Sequence, residues 1–382
     1  MKRILSLFLT FLAIFFIIPF NCYAIEDNAP FELKAKSAVL MDAESGEIIY
    51  AKNADEPLPP ASVTKVMTLL LVMEAINDGI IKLEDMVSVS QNAASMGGSQ
   101  VFLEPGEEMS VDEMLKCVVV SSANDAAVAL AEKVAGSEAT FVQRMNDRAK
   151  ELGMNNTNFE NVTGLDDSVT NHTISAHDIA VASRELITKH PKIFDYTTIG
   201  MDTIRNGEFG LSNTNRLIRY YNGATGLKTG STSKAGFCIS ATAKRDNMHL
   251  IAVIMGSSTR DERNAAASTL LDWGFATFSV FKAEGGDAGS VKLMGGKTDK
   301  INIEYEAFSK LLGKGKEQKI TTEMEIPDCV YAPIKKGDKV GSVKFLCDGK
   351  SIGEVDVVST EDAERIGFFD ILVRIWQNYF MF

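Results

Sequence analysis

The chain is poor in the residues on which several kinds of chemistry depend. Its 382 residues include five cysteines and four histidines, with no CxxC, no HExxH and no tight histidine cluster. A metal site, which needs such ligands at short spacing, is therefore not expected, and no cofactor is called for. Cys117 and Cys238 sit inside apolar runs and read as small core residues, while Cys22 falls in the N-terminal leader. Cys329 and Cys347 are left to pair, too few for a disulfide framework. Basic residues are also scarce: 39 Lys and Arg face 51 Asp and Glu, for a net charge of −12 with no long basic run. Nucleic acid is excluded as a partner, because phosphate binding needs clustered cations. There is no low-complexity tract, no repeat of fixed period, and no apolar run after the leader long enough to span a bilayer.

What is present begins with export. Lys2-Arg3, the apolar run Ile4–Phe20 and Asn21-Cys22-Tyr23-Ala24 form a secretory signal, with cleavage expected after Ala24 and a retained signal anchor as the alternative. With 45% apolar residues the remainder can bury a large core, and its length suggests two or three domains.

SAVLMDAESGEIIYAKN alternates around Ser45-Gly46 and predicts a hairpin. PPASVTKVMTLLLVMEAINDG predicts a helix that the prolines start and Asp78-Gly79 ends; apolar on nearly every face, it belongs in a core. The chain reads as helical from about Val111 to Leu152 with SSAND inside it, loop-like over 155–171, and helical again over 175–189. A strand follows at 225–233, then two more joined at Arg245-Asp246-Asn247, then a helix over 263–278. Strands at both ends with helices between predict an α/β unit whose sheet unites distant segments.

Composition shifts at Glu284-Gly285-Gly286 toward short alternating runs, a small β-rich domain of about 75 residues. The parsing is thus 1–24 signal, 25–283 main domain, 284–362 β domain and 363–382 terminal helix. In that helix Asp370, Arg374, Gln377 and Asn378 form one narrow polar stripe among Phe, Trp and aliphatic residues. It reads as an in-plane membrane anchor, the alternative being a helix docked on the β domain.

Ser62-Val63-Thr64-Lys65 raises the question of nucleophilic chemistry. A bare Ser-x-x-Lys is expected about once or twice in a chain of this length, and Ser231-Thr232-Ser233-Lys234 is a second match. Taken alone, Ser62 reads as readily as a helix-start residue. Its company changes that reading: Ser122-Ala123-Asn124 follows an apolar run, and Lys228-Thr229-Gly230 is the one KTG in the chain. A serine is a poor nucleophile until a base takes its proton, and a buried lysine beside another cation loses its own proton readily enough to serve.

The ordered set Ser-x-x-Lys, Ser-x-Asn, Lys-Thr-Gly resembles that of the penicillin-recognising serine enzymes. NTNRL at 213–217, GATGLKTGSTSKAGFC at 223–238, RNAAASTLLDWGF at 263–275 and YAPIKKGDKVG at 331–341 are similar to the low-molecular-mass penicillin-binding proteins that are D-alanyl-D-alanine carboxypeptidases. The resemblance covers essentially the whole mature chain, with SAN where many members have SGN. It implies a penicillin-binding/β-lactamase-like α/β fold, an antiparallel sheet with helices on both faces plus a mainly helical part, then a small all-β domain and an amphipathic helix.

On that resemblance Ser62 is the nucleophile and Lys65 its base, Ser122 relays a proton to the departing amine, and Asn124 bonds Lys65 and the substrate backbone. Lys228, Thr229, Gly230, Ser231 and Thr232 line the substrate, and the backbone N–H groups of Ser62 and Ser231 form the oxyanion hole. Arg263 matches a family arginine for the substrate carboxylate, or is a solvated helix-start charge. His172 matches a loop histidine that is structural or positions water. The implied partners are peptidoglycan stem peptides, β-lactams as inhibitors and the outer face of the cytoplasmic membrane. Transpeptidation or endopeptidation on the same site and a non-catalytic penicillin sensor are the other readings. A class A β-lactamase is disfavoured by the lack of a Glu-x-x-Leu-Asn string.

Overall fold

The structure is a computed structural model that describes residues 30–167 and 169–380; the signal segment at 1–24 lies outside the described residues. The hairpin over 37–52 forms as the alternation predicts, with β1 (Ser37–Asp42) antiparallel to β2 (Ile48–Lys52). Three further strands, β3 (Ala224–Thr232), β4 (Gly236–Arg245) and β5 (Met248–Ser257), follow near the end of the main domain. The sheet order is β2-β1-β5-β4-β3, so Ser37 at the chain's start faces Met255. β5 is buried on both sides, which explains its unbroken run LIAVIM.

Helices cover both faces. α1 (Lys65–Asn77), α2 (Val111–Val120), α3 (Asn124–Ala135), α4 (Glu138–Glu151) and α5 (Ala176–Lys189) make up the helical part on one side. α6 (Arg260–Thr277) packs Ala266, Ala267, Leu270 and Leu271 on the other. Side-chain caps set the starts of α2, α4, α5 and α6, where Ser110, Ser137, Ser175 and Thr259 each accept a backbone N–H three residues on. α1 lies at the centre, with Val66, Met67, Leu69, Leu70, Val72 and Met73 all buried. Each such side chain contributes about 1.5–3 kcal/mol of burial.

The reading of one helical stretch from 111 to 152 needs correction. The chain breaks between α2 and α3, and Ser122 occupies that break with φ +62°, a left-handed conformation rare for a side-chain-bearing residue. The letters do not place the break, which is held by a local bond closing α2, Ala123 N–H to Cys117 O at 3.1 Å, and by a tertiary one, Asn124 N–H to Ser99 O at 2.7 Å. A second hairpin, Met201–Ile204 with Phe209–Ser212, also carried no clear strand pattern.

From α6 the chain passes directly into strands. β6 (Phe278–Ala283) pairs with β9 (Phe308–Gly313), across the Glu284-Gly285-Gly286 segment. β7 (Gly286–Met294), β8 (Lys300–Tyr305), β10 (Ile320–Glu325), β11 (Cys329–Tyr331), β12 (Lys339–Cys347) and β13 (Lys350–Ser359) form a sheet in the order β10-β12-β13-β8-β7-β11. Cys329 and Cys347 are free thiols on β11 and β12, which three other strands separate in that order. Ion pairs Lys282–Glu44 at 2.6 Å and Lys310–Glu47 at 3.2 Å tie β6 and β9 to the β1–β2 turn. The terminal helix α7 (Phe368–Phe380) has its Arg374 on Asp299 and on the carbonyl of Lys297.

Candidate active site

Pro59-Pro60 lead into a single 3-10 turn, Ala61–Thr64, before α1 begins at Lys65. In a 3-10 turn residues three apart eclipse, so the tighter geometry brings Ser62 and Lys65 together more directly than an α-helix would. Lys65 Nζ lies 3.1 Å from Ser62 Oγ. Ser62 is half-buried and Lys65 has no solvent exposure.

Lys65 Nζ has two other partners, Asn124 Oδ1 at 2.5 Å and the carbonyl of Thr163 at 3.0 Å. The Asn124 amide is oriented by its own Nδ2, which donates to Gly97 O at 2.7 Å. Both partners only accept. A neutral amine has two N–H groups and one lone pair. With the N–H groups directed at Asn124 and Thr163, the lone pair is left for Ser62. An ammonium also fits three acceptors, so electrostatics decide. Burial holds the Lys65 pKa well below the ordinary lysine value and the Lys228 charge lowers it further, against a smaller upward pull from Asp125. Asp125 is buried too, but its carboxylate is occupied by the N–H groups of Val101, Leu103 and Ala126.

Lys228 comes from β3, the edge strand of the sheet. Its Nζ donates to Ser122 Oγ at 2.8 Å and to Thr229 O at 3.0 Å. The left-handed turn at residue 122 is what aims that hydroxyl at β3. Burial, and then the Arg263 charge, bring the Lys228 pKa down to about 7. Gly230 has a steric reason to be glycine: a Cβ there would lie 2.8 Å from Pro60 O and Ser62 N and 2.9 Å from Val63 N. β3 thus runs directly against the turn that bears Ser62.

Ser62, Lys65, Ser122, Asn124 and Lys228 form one cluster, linked as Ser62–Lys65–Asn124 and Lys228–Ser122. The remaining residues named from the sequence surround it. Thr229 donates to Thr214 Oγ1 at 2.7 Å, and Ser231 is exposed at the mouth. Thr232 donates to Asp166 Oδ2 at 2.5 Å. Arg263 is 3% exposed and bonds only Asn264 Oδ1, at 3.1 Å from Nε and 2.9 Å from Nη2; it makes no ion pair among the described residues. Burial, then Arg260, lowers its pKa to about 10. A buried guanidinium without a counter-ion is costly and is suited to an anion that arrives from outside.

His172 does not touch Ser62 or Lys65. Its Nδ1 accepts from the N–H of Glu160 at 3.0 Å, which assigns the proton to Nε2, 2.8 Å from Thr64 Oγ1. Thr64 in turn donates to Ala61 O at 2.9 Å. Burial pushes the His172 pKa down to about 4, so the ring is neutral and its two nitrogens are both occupied.

Sequence reasoning missed Thr163, Gly97, Thr214 and Asp166. The first two act through backbone carbonyls, which have no side-chain signature. Gly164 offered a weak signal: at φ +81° it passes so close to Ala61 that a Cβ would lie 1.8 Å from the Ala61 carbonyl oxygen. That approach is what brings the neighbouring Thr163 carbonyl to Lys65.

The chain matches the family model described as D-alanyl-D-alanine carboxypeptidase over residues 24–259, and the one described as penicillin-binding protein 5, C-terminal domain, over 275–365. It is 42% identical over 393 residues to D-alanyl-D-alanine carboxypeptidase DacF of Bacillus subtilis (strain 168), covering 100% of both chains. Among solved structures it is similar to penicillin-binding protein 5 from Haemophilus influenzae, with a TM-score of 0.78 at 32% identity over 89% of this chain and 100% of that one. It also resembles penicillin-binding protein D2 from Listeria monocytogenes in its ampicillin-bound form, with a TM-score of 0.60 at 30% identity over 65% of this chain and 100% of that one. By these matches the chain belongs to the D-alanyl-D-alanine carboxypeptidases of the low-molecular-mass penicillin-binding group, and it is a serine-type carboxypeptidase.

Proposed function

We propose that the enzyme removes the terminal D-alanine of peptidoglycan pentapeptide stems through an acyl intermediate on Ser62. The observation that carries this is the environment of Lys65: fully buried, with two acceptor-only partners, and its third contact being Ser62 Oγ. Neutral Lys65 takes the Ser62 proton as Oγ attacks the carbonyl carbon of the penultimate residue. The N–H groups of Ser62 and Ser231 receive the developing oxyanion. Ser122, which accepts from Lys228, keeps its own hydroxyl proton for the departing amine, and Lys228 or Lys65 restores it. The C–N bond breaks, D-alanine leaves, and water releases the shortened stem from Ser62.

Recognition follows from the surroundings. The substrate lies along the free edge of β3 as an added strand. Its terminal carboxylate meets Arg263, with Thr229 and Lys228 alongside. A β-lactam, which carries an amide and a carboxylate in a similar relation, acylates Ser62 in the same way. His172 supports the Ser62 turn through Thr64 rather than acting on a reacting atom.

The enzyme acts outside the cytoplasm after removal of residues 1–24. The main domain at 25–283 does the chemistry, and the β domain at 284–362 carries the terminal segment 363–382 as a membrane-surface anchor. No helix among the described residues is long and apolar enough to cross a membrane. The reading is supported by α7, whose Phe368, Phe369, Val373 and Trp376 are 71%, 80%, 53% and 56% exposed, while Arg374 faces the β domain.

Mass spectrometry of a pentapeptide stem incubated with protein lacking the signal and residues 366–382 tests the activity. Loss of one D-alanine is expected; an uncleaved stem, or a cross-linked product in place of the hydrolysed one, overturns it. The same truncation is expected to move the enzyme from the membrane to the soluble fraction, and sedimentation with membranes contradicts the anchor.

A further inference from the structure

The two ends of the cleft differ in charge. At one end stand Lys228 and the buried Arg263, whose charge acts on Lys228. At the other, Thr232 Oγ1 reaches from β3 across to Asp166, on the loop that also supplies the Thr163 carbonyl. Thr232 accepts the N–H of Ala235 at 3.0 Å, which directs its hydroxyl proton at the carboxylate. Asp166 is only partly buried and makes no ion pair among the described residues. It is therefore a carboxylate held in a set position with one side open to solvent and no cation beside it.

The order along β3 says which part of the substrate passes it. Thr229 lies at the carboxylate end, Gly230 is packed against the Ser62 N–H, and Thr232 is two residues further on. An extended peptide and a strand both advance about 3.3 Å per residue. With the reacting carbonyl at Gly230–Ser231, the next residue toward the stem's start lies beside Thr232 and Asp166. In a pentapeptide stem that is the third residue. Its neighbour on the protein is an uncompensated anion, as the terminal carboxylate's neighbour is an uncompensated cation.

We infer that Asp166, oriented by Thr232, is a specificity-determining residue that receives a side-chain ammonium on the third residue of the stem. This rests on the carboxypeptidase reading above and adds to it the residue that reads that position.

The test compares two synthetic pentapeptides ending in D-Ala-D-Ala, with lysine or Nε-acetyl-lysine at position three, by D-alanine release. The wild-type enzyme is expected to favour the free amine about five- to tenfold in kcat/KM, as one charge-assisted contact implies, and less so at high salt. Asp166→Asn is expected to bring the ratio close to one, and Thr232→Val to lower it in part. Asp167→Asn, at an exposed carboxylate next in the chain, is expected to keep most of it. Equal wild-type rates for the two peptides overturn the inference without touching the carboxypeptidase reading, and need no variant to fold. A ratio that survives Asp166→Asn, or that Asp167→Asn removes instead, overturns it as well. No D-alanine from either peptide would overturn the reading on which it rests.

Discussion

Residues 62–65 and 231–234 both spell Ser-x-x-Lys, and the fold gives them opposite fates. The first match spans a 3-10 turn and the first residue of a buried helix, so its side chains eclipse and Nζ meets Oγ at 3.1 Å without solvent. The second leaves the end of β3 and enters a turn, where Ser231 and Lys234 are both exposed. In extended chain, residues three apart point to opposite faces. The same spacing thus makes a close Ser–Lys contact in one place and two solvated side chains in the other. What separates them is the local backbone and the loss of water around the lysine.

The largest expected contrast is at the serines. Ser62→Ala is expected to abolish labelling by fluorescent penicillin, whereas Ser231→Ala keeps it, since the proposed mechanism uses only the backbone N–H of residue 231. Labelling retained on Ser62→Ala would make the second serine, or another, the nucleophile. Next come the lysines. Lys65→Ala is expected to slow acylation about 10²–10⁴-fold, the usual value of a positioned base, while Lys234→Ala shifts it less than about twofold, as surface substitutions generally do. Stopped-flow acylation on both, with circular dichroism to confirm folding, decides between them.

Gly230→Ala probes the contact that aligns β3 with the Ser62 turn. Its Cβ would meet backbone atoms that have no free rotor, so an offset of a few tenths of an ångström to an ångström is expected, with acylation down about 10²-fold. A variant as fast as wild type would show that the strand can move away at no cost.

The smallest effect concerns stability. Folding lowers the Lys228 pKa from 10.5 to about 7, so between those values the unfolded chain binds the proton that the folded one has lost. Stability then rises with pH from about 7 to 10.5, and below 7 the full penalty of a buried charge is present. Lys228→Met removes that penalty, so its Tm relative to wild type is expected to be greatest near pH 6 and to decline toward pH 10. A difference that is flat with pH would mean that Lys228 is hydrated in the folded protein.

Much of this was readable from letters alone where side chains carry the information. The hairpin at 37–52, the strands of 224–257 and the all-round apolar helix at 65–77 follow from alternation, a turn at 245–247 and unbroken hydrophobicity. The cluster of Ser62, Lys65, Ser122, Asn124 and Lys228 was legible because three short motifs occur in order. The break at Ser122 was not, since no glycine or proline marks it and the bond that holds Asn124 comes from Ser99, in another part of the fold. The Thr163 carbonyl, the Thr214 hydroxyl and the Asp166 clasp depend on loops that cross over themselves, and nothing in local pattern encodes where a loop returns. A pairing of Cys329 with Cys347 was conceivable by count and is absent because three strands of one sheet stand between theirs.

The pairing of Ser37 with Met255 sets a schedule for the molecule's birth. β1 needs β5 on one side before the sheet can close, so a chain emerging from the ribosome carries its first strand incomplete until nearly the whole main domain has been made. Such long-range topology folds slowly and leaves intermediates without their core. The clustered residues inherit the delay: Ser62 and Lys65 are made early, but Lys228 arrives on the strand next to β4, which itself joins β5. A nascent or prematurely ended chain therefore holds Ser62 and Lys65 without Lys228, and on the proposed mechanism it is inert.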